Sequence, residues 1–388
     1  MALTESKKAA FEYADEWLAD GFSISPFSLP LEKKVFVPTK DYFRGLFGVF
    51  ADSLPDAWGQ LLLDRMLKKH GINRDEFSII DRLAVVGNQG MGALIYRPER
   101  NLSYGQDVDN LDELAEECQR ILNTEESEKL DELYRLGGTS GGARPKVMME
   151  MDGEPWIIKF PAHVDRADIG KMEYDYYLCA EQCGITMSEC NLFPSDKCSG
   201  YFGTKRFDRK NQHGEMERVH MLTVAALLEL DFEQPVLDYQ DLMKLTKIIT
   251  NNSPEDLENM YRRMCFNVYA HNRDDHAKNF SFLYEEEKKC WRLSPAYDLT
   301  YSTTYYGEHT TAVAGNGKNP GSKELIFVGT QAGLSKEKCR SIAVEFPALF
   351  SLLFCSYYAD FNFSGYTILG NGINCRMPCF FCSDFTLL

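Results

Sequence analysis

The stretch from His271 to Thr300, HNRDDHAKNFSFLYEEEKKCWRLSPAYDLT, gathers the residue types that phosphoryl transfer requires. Asp274 stands five residues before Asn279, and a third acid, Asp298, sits in a Pro-Ala-Tyr-Asp turn. A phosphotransferase that uses magnesium needs one carboxylate near the acceptor hydroxyl, and an amide and a second carboxylate on the metal. Protein kinases use the same offset of five. The string alone also fits an ordinary turn, where Asp, Asn and His bond their own backbone. Its flanks favour a site: a predicted helix, Glu255 to Tyr269, leads in and predicted strands, Asn279 to Tyr284 and Cys290 to Leu293, lead out. The acids then lie on a loop held between scaffold elements. Asp275 lacks the five-residue offset and is expected to cap or support the loop.

A site of this kind needs elements that hold a nucleotide. GGTSGGARPK, Gly137 to Lys146, fails the Walker A pattern, because Lys146 opens a strand and not a helix. A glycine-rich loop entering a hairpin (Lys146 to Met151, turn Asp152-Gly153, Pro155 to Pro161) fits a flap over phosphates. The N–H groups around Gly141 and Gly142 and the side chains of Arg144 and Lys146 would face the anion. A solvated surface loop fits the stretch equally well. In PWIIKFP, Lys159 sits among apolar neighbours and needs an anionic partner. Glu173, on the next predicted helix, is the candidate that would match the kinase lysine–glutamate pair. The segment around Arg206, Phe207 and Asp208 marks the joint between lobes, where an adenine ring would stack on Phe207.

Further out, PDAWGQLLLDRMLKKHG reads as a core helix with Trp58, Leu62 and Met66 on one face. Gly87, Gly90 and Gly92 read as a tight turn, not a dinucleotide loop. From Phe11 to Leu31 short strands and turns are expected, and helices over Leu111 to Leu122 and Glu125 to Leu136. Further helices are expected over Arg218 to Leu230 and Tyr239 to Thr250. Strands before helices describe an α+β body with a small β-rich lobe followed by a helical lobe. The expected organisation is an N-terminal module (1–105), a helical connector (106–136) and a two-lobed body (137–345, with the small lobe at 137–208). A tail of unassigned role (346–388) follows.

The composition removes other classes. With 388 residues, a formal net charge of −16 and a pI near 5.0, the chain lacks the basic surface that nucleic-acid binding demands. Twelve cysteines are too dilute for a disulfide framework, and no signal-peptide pattern opens the chain, so a reducing cytoplasm is expected. The apolar run Phe346 to Ala359 falls short of the ~20 residues of a membrane span. Cys375, Cys379 and Cys382 have the CxxxCxxC spacing of an iron–sulfur site, but too little chain follows to form the barrel such enzymes need.

Taken in order, GGTSGGARPK, WIIKFP, KRFDR, NRDDHAKNFSFL and SPAYDL resemble the HipA family of serine/threonine protein kinases, the toxin components of bacterial toxin–antitoxin systems. FADSLPDAWG and GMGALIYRP resemble that family's N-terminal module. The resemblance implies a kinase-like two-lobed fold, ATP and Mg²⁺ as cofactors, Asp274 as the catalytic aspartate, and Asn279 and Asp298 as metal ligands. It implies Lys159 as the ATP lysine, and KRFDR as the adenine segment. His276 is expected to orient the loop and Lys278 to touch the γ-phosphate. The family's glycine-rich loop carries an autophosphorylated serine; the matching positions here are Thr139 and Ser140. Implied partners are a translation-related protein substrate, such as an aminoacyl-tRNA synthetase, and a helix-turn-helix antitoxin through which DNA is reached. Two alternatives stand beside this reading. One is a non-catalytic antitoxin-binding co-repressor. The other is a metal-dependent phosphohydrolase built on His271, Asp274, Asp275 and His276.

Overall fold

The computed structural model describes residues 1–103, 110–212, 214–303 and 307–357, with side chains up to 346. The small lobe is a four-stranded antiparallel sheet of β1 (Lys146–Met151), β2 (Glu154–Lys159), β3 (Cys190–Phe193) and β4 (Tyr201–Lys205), in the order β1-β2-β4-β3. Asp152 and Gly153 both have positive φ, which gives the β1–β2 hairpin the twist of a two-residue turn. The register places Lys146 directly opposite Lys159. Between β2 and β3 runs a helix, Ile169–Gln182, which buries Glu173.

The helical lobe is built on Tyr239–Ile249, Pro254–Tyr269, Ser322–Ala332 and Lys336–Tyr357. Ser253 caps the second of these by accepting from the Asp256 N–H, with Pro254 at its first position. A three-stranded sheet of β5 (Met221–Thr223), β6 (Ser281–Glu285) and β7 (Cys290–Leu293), with β6 central, supports the loop that leaves this helix.

Several expectations shift. Arg218 to Leu230 is not one helix: the strand β5 and a five-residue helix, Val224–Leu228, occupy it, because Met221–Thr223 finds a strand partner in Ser281–Leu283. Asn279 lies in a 3-10 turn, Ala277–Asn279, ahead of its strand. The helix expected from Glu125 begins at Leu130, after a turn in which Thr124 has positive φ. Asp15–Asp20 is a helix within a segment otherwise made of bridges and turns. The boundary placed after residue 345 falls inside the helix Lys336–Tyr357, and Cys375, Cys379 and Cys382 lie outside the described residues.

The N-terminal module does not form a separate core. Its early segment (Leu46, Val49, Phe50) packs with Leu222, Ala226, Met264 and Phe266 of the helical lobe. Its helix α1 (Ala57–Lys69) instead packs Trp58, Leu62 and Met66 against Leu114 and Leu133 of the connector and Val147, Ile158 and Phe160 of the small-lobe sheet. The module therefore straddles both lobes. Gly48 marks the closest approach, since a Cβ there would stand 2.4 Å from the Ala226 carbonyl oxygen.

Candidate active site

The loop after the helix Pro254–Tyr269 turns sharply at His271, which has positive φ, and presents two adjacent acids in opposite environments. Asp274 is exposed toward the cleft; its backbone carbonyl accepts a 2.6 Å hydrogen bond from Asn279 Nδ2. That bond turns the amide nitrogen toward the loop backbone and its oxygen away from it, as an oxygen-seeking cation would require. Partial burial of the carboxyl group, with Asp298 and Asp275 nearby, pushes the Asp274 pKa above its ordinary value, while His276 and Arg144 oppose the shift. His276 Nε2 stands 4.0 Å from the Asp274 carboxylate, and its Nδ1 accepts from the Lys278 N–H.

Asp275 is fully buried. Tyr239 Oη donates to it at 3.0 Å, His309 Nδ1 lies 3.0 Å from the same oxygen, and the Thr311 N–H donates at 3.1 Å to the other. The Tyr239 hydroxyl in turn accepts from Asn267 Nδ2 at 2.8 Å. Asn267 Oδ1 accepts from Asn272 Nδ2, which also donates to the Asp298 carbonyl, both at 3.0 Å. A continuous chain of buried polar groups thus joins the back of the Asp274 loop to the Asp298 turn. Buried groups of this kind cost stability unless each is satisfied, so the chain holds both segments in one arrangement.

Asp298, with positive φ, presents its carboxylate to Lys159, which also pairs with Glu173. Burial alone would raise the Asp298 pKa, but Lys159 and Lys146 outweigh it and hold the carboxyl well below the usual range. Burial works against the Lys159 ammonium, yet Asp298 and Glu173 raise its pKa above the ordinary lysine value. For Lys146 the pull of Asp298, Glu173 and Asp56 is outweighed. Burial and the like charge of Lys159 push it down to about 8, and its ammonium donates to the Gly141 carbonyl at 2.6 Å. Arg144 bonds Asp165 at 3.1 Å.

Two expected nucleotide residues are engaged elsewhere. Arg206 and Asp208 are buried and form, with Arg209 and Arg218, a clamp on the Gly90–Gly92 turn of the N-terminal module. Asp208 accepts from the Gly92 N–H at 2.7 Å, and the arginines donate to the Gly90 and Gly92 carbonyls. A buried carboxylate needs such partners, and losing one of a buried pair costs about 3–5 kcal/mol. Phe207 stays near the interlobe joint and stacks on Tyr297 with ring centroids 5.7 Å apart, while the Tyr297 hydroxyl donates to the Lys278 carbonyl. Thr139 and Ser140 are buried. Ser140 Oγ donates to the Gly137 carbonyl at 2.7 Å and Thr139 Oγ1 to that of Gln89 at 3.3 Å.

The four residues of the phosphohydrolase alternative do not converge, because Asp275 faces the interior. Among the described residues no group of three or more His, Cys, Asp or Glu could hold a metal ion. Asn279 and Asp298 are the groups that could take magnesium, which binds through one or two protein groups and fills its shell with water and phosphate oxygens. Sequence reading missed Tyr239, Asn267, His309 and Thr311, which stand in no local motif, and gave no role to Asn272 and Tyr297 although both lie within the NRDDHAKNFSFL and SPAYDL segments.

Comparison with known proteins gives the family and the fold. The HipA N-terminal domain model matches residues 1–97 and the HipA-like C-terminal domain model matches residues 138–350. The chain belongs to the HipA family. Two Sinorhizobium fredii (strain NBRC 101917 / NGR234) proteins whose names propose kinases are similar to it. Y4mE is 25% identical over 76% of this chain and 72% of its own length; Y4dM is 28% identical over 42% of each. The chain thus spans under half the length of Y4dM. The solved structure of Shewanella oneidensis MR-1 HipA, described with HipB and operator DNA, superposes with a TM-score of 0.66. It is 18% identical, covering 90% of this chain and 86% of that one. The HipA fold shared with it is the two-lobed, kinase-like α+β fold. No helix among the described residues is long and apolar enough to cross a membrane.

Proposed function

We propose that this HipA-family chain is an ATP- and magnesium-dependent protein serine/threonine kinase, acting in the cytoplasm as the toxin of a toxin–antitoxin pair. The observation that supports the reading is that Asn279 bonds the Asp274 carbonyl, that Asp298 is near enough to raise the Asp274 pKa, and that Lys159 bridges Glu173 and Asp298. Asp274 accepts or orients the proton of the acceptor hydroxyl, and its raised pKa suits that task. His276 backs that carboxylate. Lys159 and the Gly137–Lys146 loop position the triphosphate. Asn279 and Asp298 would hold magnesium, which supplies charge neutralisation when bound. Phosphoryl transfer rests mainly on such positioning and neutralisation.

The names of the two rhizobial relatives support the kinase reading, and the HipB bound to the Shewanella protein supports a helix-turn-helix antitoxin partner through which DNA is reached. The acceptor is a protein hydroxyl, with translation components such as aminoacyl-tRNA synthetases as the first class to assay. Thr139 and Ser140 are candidates for self-modification, which requires the loop to leave its buried position. The test is Mg-ATP-dependent thermal stabilisation and γ-phosphate transfer by purified protein. Saturating Mg-ATP should stabilise the wild type by about 2–3 kcal/mol at a hundred-fold excess over Kd, with most of that gain lost in Asp298→Ala. Equal stabilisation of both proteins would remove Asp298 from the metal site, and absence of transfer to any protein would remove the kinase reading.

A further inference from the structure

Asp56 occupies the N-cap position of α1, where an aspartate ordinarily accepts from the first helical N–H groups, yet its side chain makes no cap bond. Its carboxylate goes elsewhere. One oxygen accepts from the Gly142 N–H of the glycine-rich loop at 2.9 Å, and the other forms an ion pair with Lys278 of the Asp274 loop. Lys278 also lies over the Phe232 ring, 4.4 Å from its centroid. The rest of the DSLPDAWG motif closes around the same loop. The Trp58 N–H donates to the Gly142 carbonyl at 3.3 Å and Trp58 Nε1 to the Lys146 carbonyl at 3.1 Å. A Cβ on Gly59 would stand 3.0 Å from the carbonyls of both Gly138 and Ser140, so only glycine lets the helix approach the loop this closely. Four residues earlier, Asp52 accepts from the Thr223 N–H and hydroxyl, which fixes the start of the motif to the helical lobe.

We propose that Asp56 is a positioning residue. It ties the glycine-rich loop to the Asp274 loop, so that the N-terminal module sets the closed position of that loop over the cleft. Gly142 has positive φ and stands at the turn of the loop, so a single bond to its amide fixes the height of the whole flap. Lys278 holds the Asp56 carboxylate in place for that bond. A group that draws Lys278 away therefore loosens the loop, and this is the path by which events in the cleft reach Thr139 and Ser140. The effect on transfer rests on the kinase reading; the coupling between the two loops does not.

Amide hydrogen exchange of the full chain, without nucleotide, tests the coupling. Asp56→Ala should speed exchange in the Gly141–Arg144 segment about tenfold, with the interior amides of α1 unchanged. Lys278→Met should speed the same segment about threefold although it does not touch it. The double variant should exchange no faster than Asp56→Ala alone, because both act through one carboxylate. Asp56→Asn keeps an oxygen for Gly142 and should resemble Lys278→Met; these two variants carry the test if Asp56→Ala fails to fold. Unchanged exchange in the single variants, or effects that multiply in the double, would overturn the proposal. Coupling seen in a protein that transfers no phosphate would uphold Asp56 as the tie and count against the kinase reading alone.

Discussion

The front and the back of the Asp274 loop are built to opposite rules. On the front, Asp274 is open to the cleft, Asn279 directs its amide oxygen away from the loop, and Asp298 faces Lys159. On the back, Asp275, Tyr239, Asn267 and Asn272 are buried or nearly so and bond one another in sequence. Charged groups collect on the open face of the loop, and satisfied polar groups collect on its buried face. Two neighbouring aspartates thus differ in role because of what surrounds them, and positioning in this site is supplied from behind.

The sharpest way to break this division is from the back. Asp275→Ala leaves the Tyr239 hydroxyl, the His309 ring and the Thr311 N–H without their acceptor, and should lower stability by about 2–4 kcal/mol, read as a lower urea midpoint at unchanged m-value. A loss under about 0.5 kcal/mol would show that the back does not hold the loop. A milder cut is Asn272→Ala, which severs the link to the Asp298 carbonyl alone. It should cost about 1–2 kcal/mol and weaken the stabilisation by Mg-ATP, because the Asp298 turn gains freedom. An unaltered ligand response would place the Asp298 turn outside the network's control.

The smallest effect concerns pH. The Lys146 pKa of about 8 in the fold lies below its ordinary value of 10.5, so between those values the folded chain binds fewer protons than the unfolded one. The group's contribution to stability therefore rises with pH across that window and is least favourable below it, where the buried ammonium is charged. A phosphate beside Lys146 would reverse the preference. Nucleotide binding should weaken by about three- to tenfold from pH 7 to pH 9.5, and Lys146→Met should remove that slope. A slope that survives in Lys146→Met would assign it to another group.

Much of this was legible in the chain itself. The five-residue offset from Asp274 to Asn279, the lysine inside PWIIKFP and the Asp152-Gly153 turn all depend on neighbours close in sequence; the helix Leu111–Leu122 showed in its leucine spacing, and the helix expected from Glu255 to Tyr269 begins one residue earlier at Pro254. The need of a buried ammonium for an anion was legible at Lys159, and Glu173 was named as its partner by analogy with the kinase lysine–glutamate pair. What escaped was held by long-range contacts. Asp56 falls within the first turn of the helix read over PDAWGQLLLDRMLKKHG, and nothing near it in sequence reveals Gly142 or Lys278. Arg206 and Asp208 sit in the expected joint, but they pair with each other and with Arg209 and bond backbone of the Gly90–Gly92 turn from the other end of the chain. The N-terminal module read as a separate unit because its own sequence does not show that its apolar faces complete two different cores.

The division between front and back is tested most directly by comparing Asp274→Asn with Asp275→Asn in γ-phosphate transfer, at a temperature where both are folded. The account predicts that Asp274→Asn lowers the transfer rate by a factor on the order of 10² to 10⁴ with nucleotide affinity and stability nearly kept, while Asp275→Asn loses less rate and more stability. If Asp275→Asn abolished transfer in a stable protein and Asp274→Asn left it intact, the catalytic carboxylate would be the buried one and the account would be wrong.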